Sequence, residues 1–243
     1  MEFKGKTVLV TGASRSLGRQ IAYDFAKEGA KVIINYNNSY EDAKKLKEEI
    51  DRSFEESIMI KCDISKEEEV KSMLSFLEEK NIKIDILVNN AGIAIDNILD
   101  LKDANEFKKV IDTNLLGTFL VTKYISKIMN KSGSIINISS DNAFYGYEES
   151  IDYDASKAGV ISLTKNFAKS LKPIRVNCIC PGWINTDMNK ELTGEQIKNE
   201  ENKIILERFA EKEEISNVVL FLASDKASYV NSSVLVVNGG KND

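Results

Sequence analysis

The chain has 243 residues, 42% hydrophobic and 29% charged, with a formal net charge of −5. That length suits one α/β domain with a sizeable core, and the balance excludes a disordered chain. The acidity removes the electrostatic case for nucleic acid or an anionic membrane as partner, and no apolar run approaches the roughly 18 residues of a membrane span.

Short apolar runs alternate with longer amphipathic ones along the whole chain. The first, Thr7–Thr11, reads as a buried strand that runs through the turn TGASRSLGR (Thr11–Arg19) straight into a helix, which Gly29 should stop. Further strands are expected over Lys31–Tyr36, Ser57–Cys62, Ile84–Val88, Ser134–Ser139, Arg175–Cys180 and Val234–Val237. Ser39 with Asp42, and Ser65 with Glu68, have the spacing of capping boxes that open the second and third helices. This alternation predicts a single Rossmann-type, doubly wound domain over residues 1–243, its parallel sheet of about seven strands covered by helices on both faces. The strands are continuously apolar, as parallel strands buried on both faces should be.

There is no histidine. Ser-His-Asp triads, Cys-His pairs and histidine-ligated zinc or iron are therefore excluded, and no metal site is expected. Acid–base chemistry near neutral pH must fall to a carboxylate, a lysine, a tyrosine or a cysteine of shifted pKa. Cys62, Cys178 and Cys180 each sit in a strand-like run and read as small buried hydrophobes of a reducing compartment. The N-terminal MEFKGKTVLVTG lacks the charged start and apolar stretch of a secretory signal, so a cytoplasmic protein is expected.

The turn after the first strand is where a diphosphate can meet a helix N-terminus, with glycine allowing close backbone approach. A Tyr-x-x-x-Lys spacing occurs three times: Tyr23 with Lys27, Tyr40 with Lys44, and Tyr153 with Lys157. Two such residues one turn apart ordinarily just share a helix face, which is the reading for the first two pairs. Tyr153 differs in having Ser140 thirteen residues earlier, immediately after the fifth strand.

Thr11–Gly18 resembles the TGxxxGxG turn of the short-chain dehydrogenase/reductase family. Further marks of that family follow in order: Asp63, NNAG at Asn89–Gly92, Asn114, Ser140, Tyr153-x-x-x-Lys157, and Pro181-Gly182 with Thr186. The resemblance covers essentially the whole chain and implies hydride transfer between a nicotinamide dinucleotide and a carbonyl. It implies cofactor contacts from Gly12, Ser14, Arg15, Leu17 and Gly18 in the turn, and from Asp63 and Ile64 after the third strand. Asn90, Ala91 and Gly92 would add to these, as would Tyr153, Lys157, Pro181, Gly182, Ile184 and Thr186.

It also implies that Tyr153 gives the carbonyl oxygen its proton, with Lys157 and the oxidised nicotinamide lowering the tyrosine pKa from near 10. Lys157 would hold the nicotinamide ribose, Ser140 rather than Ser139 would bond the substrate oxygen, and Asn114 would support a water linking Lys157 to solvent. Ser16 departs from the family, standing where a middle glycine is usual. Serine pays more than glycine for positive φ, so a slightly altered or strained turn is expected, with tolerable weakening of cofactor binding because Gly12 and Gly18 remain. No carboxylate ends the second strand, which reads Asn35-Tyr36-Asn37-Asn38, and Arg15 can meet a 2′-phosphate; NADPH is the expected cofactor.

INTDM at Ile184–Met188 and the ending FLASDKASYV…LVVNGG look most like the 3-oxoacyl-acyl-carrier-protein reductases of that family. Lys131 and Lys172 would then contact the acidic carrier. Against this stands the loop Asp141–Asp152, which brings Glu148, Glu149 and two tyrosines towards the mouth. A reductase of another small ketone, sugar, polyol or steroid is the alternative, and a catalytically silent NADP-binding protein is a third. The polar stretch from Asp187 to about Leu206 is expected to be a substrate lid. The resemblance further implies a homotetramer.

Overall fold

The structure, a computed structural model, describes residues 1–186 and 193–241. Its seven strands are β1 (Thr7–Val10), β2 (Lys31–Tyr36), β3 (Ile58–Lys61), β4 (Ile84–Asn89), β5 (Met129–Ile138), β6 (Arg175–Pro181) and β7 (Val234–Val237). They form one sheet in the order β3-β2-β1-β4-β5-β6-β7, with every pair parallel. The order reverses between β1 and β4, and the crevice outside the carboxyl ends of those two strands is where such sheets hold ligands.

Alternate residues of each strand enter different cores. Val8, Val10, Val32, Ile34 and Val88 pack with Ile21 and Phe25 of α1 (Ser16–Lys27), Leu46 of α2 (Tyr40–Ser53) and Val219 of α9 (Lys212–Ala223). Leu9, Ile33, Leu87 and Ile135 pack on the other face with Val70 and Leu77 of α3 (Glu67–Glu79) and Val121 and Ile125 of α5 (Gly117–Ile125). Both faces of the central strands are covered, which is why those strands are apolar instead of alternating, while the edge strand β7 leaves Leu235 and Val236 exposed.

The remaining helices place the site. α4 (Ala104–Ile111) runs through a π turn at Asp112–Leu116 into α5, and the short α6 (Asn142–Tyr145) precedes α7 (Ile151–Ser170). Helix α8 (Gly194–Glu201) lies within the expected lid, whose Asp187–Leu192 portion falls outside the described residues.

Two expectations need correction. β5 begins at Met129, five residues before Ser134, because Met129 pairs with Ile84 ahead of a register shift in the β4–β5 ladder. Neither Ser39 nor Ser65 closes a capping box. The Ser65 hydroxyl donates to Asp63 Oδ1 at 2.7 Å, and Lys66 becomes the cap of α3. A nearby carboxylate competes with the helix for that hydroxyl. Reciprocal boxes form instead at Thr193–Gln196 before α8 and at Asp103–Glu106 before α4. Gly29, at φ +87, follows α1 as expected.

Candidate active site

One cleft of about 1140 Å³ opens at the carboxyl ends of the strands, and every expected cofactor contact lines it, from Gly12 to Thr186. Its floor is the packing of the glycine turn against the segment after β4. Thr11 Oγ1 accepts from the backbone N–H groups of Asn90 (3.0 Å) and Ala91 (3.1 Å), while Asn90 Nδ2 donates to the Thr11 carbonyl at 3.0 Å. A Cβ on Gly18 would lie 2.3 Å from the Gly12 carbonyl oxygen and 2.4 Å from Asn90 Nδ2; one on Gly12, at φ +62, would lie 2.9 Å from Ala91 Cα. The turn therefore brings backbone N–H groups at the start of α1 close to the cleft, a shape that suits a diphosphate. Ser16 does adopt positive φ, +54.

Asn35 is a residue that sequence reasoning passed over. Its Oδ1 accepts from Gly12 N at 3.2 Å and its Nδ2 donates to the Cys62 carbonyl at 3.1 Å, so it ties the turn to the ends of β2 and β3. The available signal was a single polar residue inside an apolar strand. Asn35, Asn37, Asn38 and Ser39 line the cleft beside Arg15, whereas Glu41 does not, so no carboxylate faces the cleft at the end of β2.

At the other end Ser140, Tyr153 and Lys157 meet on the same cleft. Ser139 and Ser140 separate cleanly. The Ser139 hydroxyl donates to the Lys157 carbonyl of α7 at 2.8 Å, while Ser140 Oγ accepts from Asn142 N at 3.3 Å and lines the cleft with Tyr153. Burial pushes Tyr153 up to about 12; the Ser140 contact opposes this, and the carboxylates of Asp154, Asp141 and Asp96 add to it. Burial brings Lys157 down to about 8. Its Nζ donates to the Ile138 carbonyl at 2.9 Å and stands 5.3 Å from the Tyr153 ring centre. The tyrosine thus holds its proton at neutral pH, as a proton donor must.

Asn114 sits in the π turn, 1% exposed, and grips the floor from behind instead of lining the cleft. A Cβ on Gly92 would stand 3.3 Å from Asn114 Oδ1 and 3.4 Å from Lys157 Nζ, so glycine lets both groups lie beneath that loop. On the far wall Gly182 N donates to the Val237 carbonyl at 3.1 Å, and Ile184 bridges to Ala210. Trp183 stacks on Phe209, and its Nε1 donates to Glu200 of α8 at 2.9 Å. The other two Tyr-x-x-x-Lys tyrosines lie elsewhere: Tyr23 packs on Phe54 and Tyr40 on Tyr36. The three cysteines are buried and free.

A parallel doubly wound sheet carrying a glycine turn and a Ser-Tyr-Lys constellation at one cleft defines a dinucleotide-dependent oxidoreductase class. A family model described as "Enoyl-(Acyl carrier protein) reductase" matches residues 12–242. The chain is 42% identical to the 3-oxoacyl-[acyl-carrier-protein] reductase FabG of Staphylococcus epidermidis, over 97% of this chain and 98% of that one. It is 39% identical to the enzyme of the same activity name from Synechocystis, over 97% and 96%. A short-chain dehydrogenase from Burkholderia cenocepacia, solved in complex with NADP, superposes with a TM-score of 0.93 at 28% identity, covering 99% of both chains. A dehydrogenase/reductase from Sinorhizobium meliloti gives the same TM-score at 32% identity, over 99% and 96%. The chain belongs to the short-chain dehydrogenase/reductase family and is an oxidoreductase.

Proposed function

We propose that this protein reduces 3-oxoacyl thioesters, presented by an acyl carrier protein, to their 3-hydroxyacyl forms with NADPH. The observation that carries the reading is the meeting of Ser140, Tyr153 and Lys157 on the cleft that the glycine turn also lines, in a chain 42% identical to a reductase named for that reaction. The dinucleotide, when bound, supplies hydride to the carbonyl carbon. Tyr153 gives its hydroxyl proton to the carbonyl oxygen, and Ser140 holds that oxygen in place. Lys157 would hold the nicotinamide ribose and keep a cationic group beside Tyr153 once its proton has left. Asn114 holds the Ile93 backbone at the reacting end of the cleft.

Arg15 and the carboxylate-free end of β2 favour the 2′-phosphate of NADPH. Glu148 and Glu149 are exposed and do not line the cleft, but Tyr147 and Ser150 on either side of them do, so these two charges stand at the surface near the mouth and count against an acidic carrier. Lys131 and Lys172 stand near the amino ends of β5 and β6, away from this chain's own cleft, so they do not flank its mouth. A cytoplasmic homotetramer completes the proposal. Among the described residues, no helix is long and apolar enough to cross a membrane.

The test is oxidation of NADPH with acetoacetyl thioester, compared with NADH and with a panel of small ketones, sugars and steroids. Turnover of the thioester with NADPH, abolished in Tyr153→Phe while NADPH still binds, is the expected result. Turnover confined to the other carbonyls moves the reading to a different substrate. No turnover with any of them refutes the catalytic assignment.

A further inference from the structure

The loop between β4 and α4 is stitched to the segment leading into α7 by three successive contacts. Asn97 N donates to the Glu149 carbonyl at 2.8 Å, and the Ser150 hydroxyl donates to Asp96 Oδ1 at 2.7 Å. Lys102 Nζ then meets Asp152 Oδ2 at 3.0 Å and also donates to the Ile95 carbonyl. The side chains of Lys102 and Asp152 are 5% and 0% exposed. Asp152 is the residue immediately before Tyr153, and its Oδ1 accepts from the Tyr153 backbone N–H at 2.9 Å. Ile93, Ala94, Ile95 and Asp96, on the tethered loop, form one wall of the cleft.

A buried ion pair is a weak device for stability, because desolvating both charges offsets most of their attraction and an apolar pair would do as well. What it supplies is a single defined register, since neither charge tolerates losing the other. It also sets a cation against one of the two carboxylates that flank Tyr153 in sequence, the other being Asp154. The groups that face the tyrosine are Asp154 and Lys157 from α7, Ser140 and Asp141 from the segment after β5, and Asp96 from the tethered loop. Three of those are carboxylates that already hold its proton on, while Asp152 stands against Lys102.

We propose that Lys102 and Asp152 form a positioning pair for Tyr153, locking the Ile93–Asp96 wall to the first turn of α7 and screening the tyrosine from the Asp152 charge. The proposal rests on Tyr153 being the proton donor of the preceding section. Two variants test it: Asp152→Asn, which keeps the shape but has one acceptor oxygen where Asp152 uses two, for Lys102 Nζ and the Tyr153 N–H, and the double variant Lys102→Met with Asp152→Asn, which removes both charges of the pair. Each is measured for kcat with acetoacetyl thioester, for NADPH Kd, and for Tyr153 ionisation in the NADP⁺-bound enzyme. The ionisation is read as tyrosinate absorbance against the matching Tyr153→Phe protein.

Both variants are expected to lose on the order of tenfold or more in kcat, since small displacements of a reacting group have effects of that size, with NADPH Kd within about twofold of the parent. Tyr153 should ionise at lower pH in Asp152→Asn, where the Lys102 cation stands uncompensated, and return towards the parent value in the double variant. Unchanged kcat, a parallel loss of kcat and NADPH binding, or tyrosine ionisation that ignores Asp152→Asn overturns it. If the parent enzyme turns over no carbonyl, the proposed function fails, and the absorbance titration still decides the role of the pair.

Discussion

The Asn114 carboxamide meets Ile93 as a neighbouring strand would: its Oδ1 accepts from the Ile93 N–H at 2.8 Å and its Nδ2 donates to the Ile93 carbonyl at 2.9 Å. Nδ2 also reaches Ser156 Oγ of α7 at 3.0 Å, so one side chain joins the π turn, the cleft floor and the catalytic helix. Asn114→Ala removes all three bonds and leaves backbone groups of Ile93 without partners. It should lower unfolding free energy by about 2 kcal/mol. Urea denaturation with an unshifted midpoint would contradict this.

Lys157 is a buried cation with no carboxylate partner among the described residues, and burial brings it from 10.5 to about 8. Between those values the unfolded chain holds a proton that the folded chain has released, so stability rises with pH through that window. Below about pH 8 the lysine is charged in both states and its desolvation cost is fully present. Lys157→Met should therefore stabilise the cofactor-free protein at pH 7 by up to about 3 kcal/mol, with the gain shrinking towards zero near pH 10.5. A pH-independent difference in melting temperature would refute it. On the proposed role of Lys157 in holding the nicotinamide ribose, kcat/KM for NADPH in the parent enzyme should fall above about pH 8 as the ammonium is lost.

The glycine turn offers two opposed substitutions. Gly18→Ala places a methyl group 2.3 Å from the Gly12 carbonyl oxygen and 2.4 Å from Asn90 Nδ2, so the turn must move off the β4 segment. NADPH affinity should fall at least on the order of tenfold. Ser16→Gly relieves the left-handed φ of +54 and should leave NADPH affinity within about threefold while raising stability by up to ~1 kcal/mol. Equal losses of NADPH affinity in both variants, by calorimetry, would show that the turn tolerates neither.

In α9, the Ser216 hydroxyl is fully buried and has no hydrogen-bond partner among the described residues. An unpaired buried hydroxyl costs more than alanine in the same place, and alanine is the better helix former. Ser216→Ala should raise the melting temperature by about 2–4 °C. Since α9 covers the sheet face opposite α3 and α5, kcat should not change.

Much of the fold was legible because its signals are local. Continuous apolar runs such as Lys31–Tyr36 and Val234–Val237 gave strand bounds that match the structure. Strand–helix alternation was enough to imply a parallel sheet with both faces covered. Element starts were less legible: Ser39 and Ser65 have the right spacing for caps, but a hydroxyl chooses among all nearby acceptors, and Asp63 took that of Ser65. Likewise the extra residues of β5 appear only because β4 lies beside Met129.

The chemistry-bearing residues divide in the same way. By itself the sequence determined that no histidine could serve, that a glycine turn follows the first strand, and that Ser140, Tyr153 and Lys157 stand at a spacing which one strand end and one helix can bring together. Only the tertiary structure decided that Ser139 is bonded to the Lys157 carbonyl and Ser140 is left to the cleft, and that Asn35 and Asn114 hold the floor from behind. It also paired Lys102 with Asp152 across fifty residues of chain. Spacing and residue type are properties of a short segment, so a sequence carries them. Burial, the hydrogen-bond partner a group finds, and the pKa shifts that follow depend on segments brought together from far apart, which the packed molecule alone specifies.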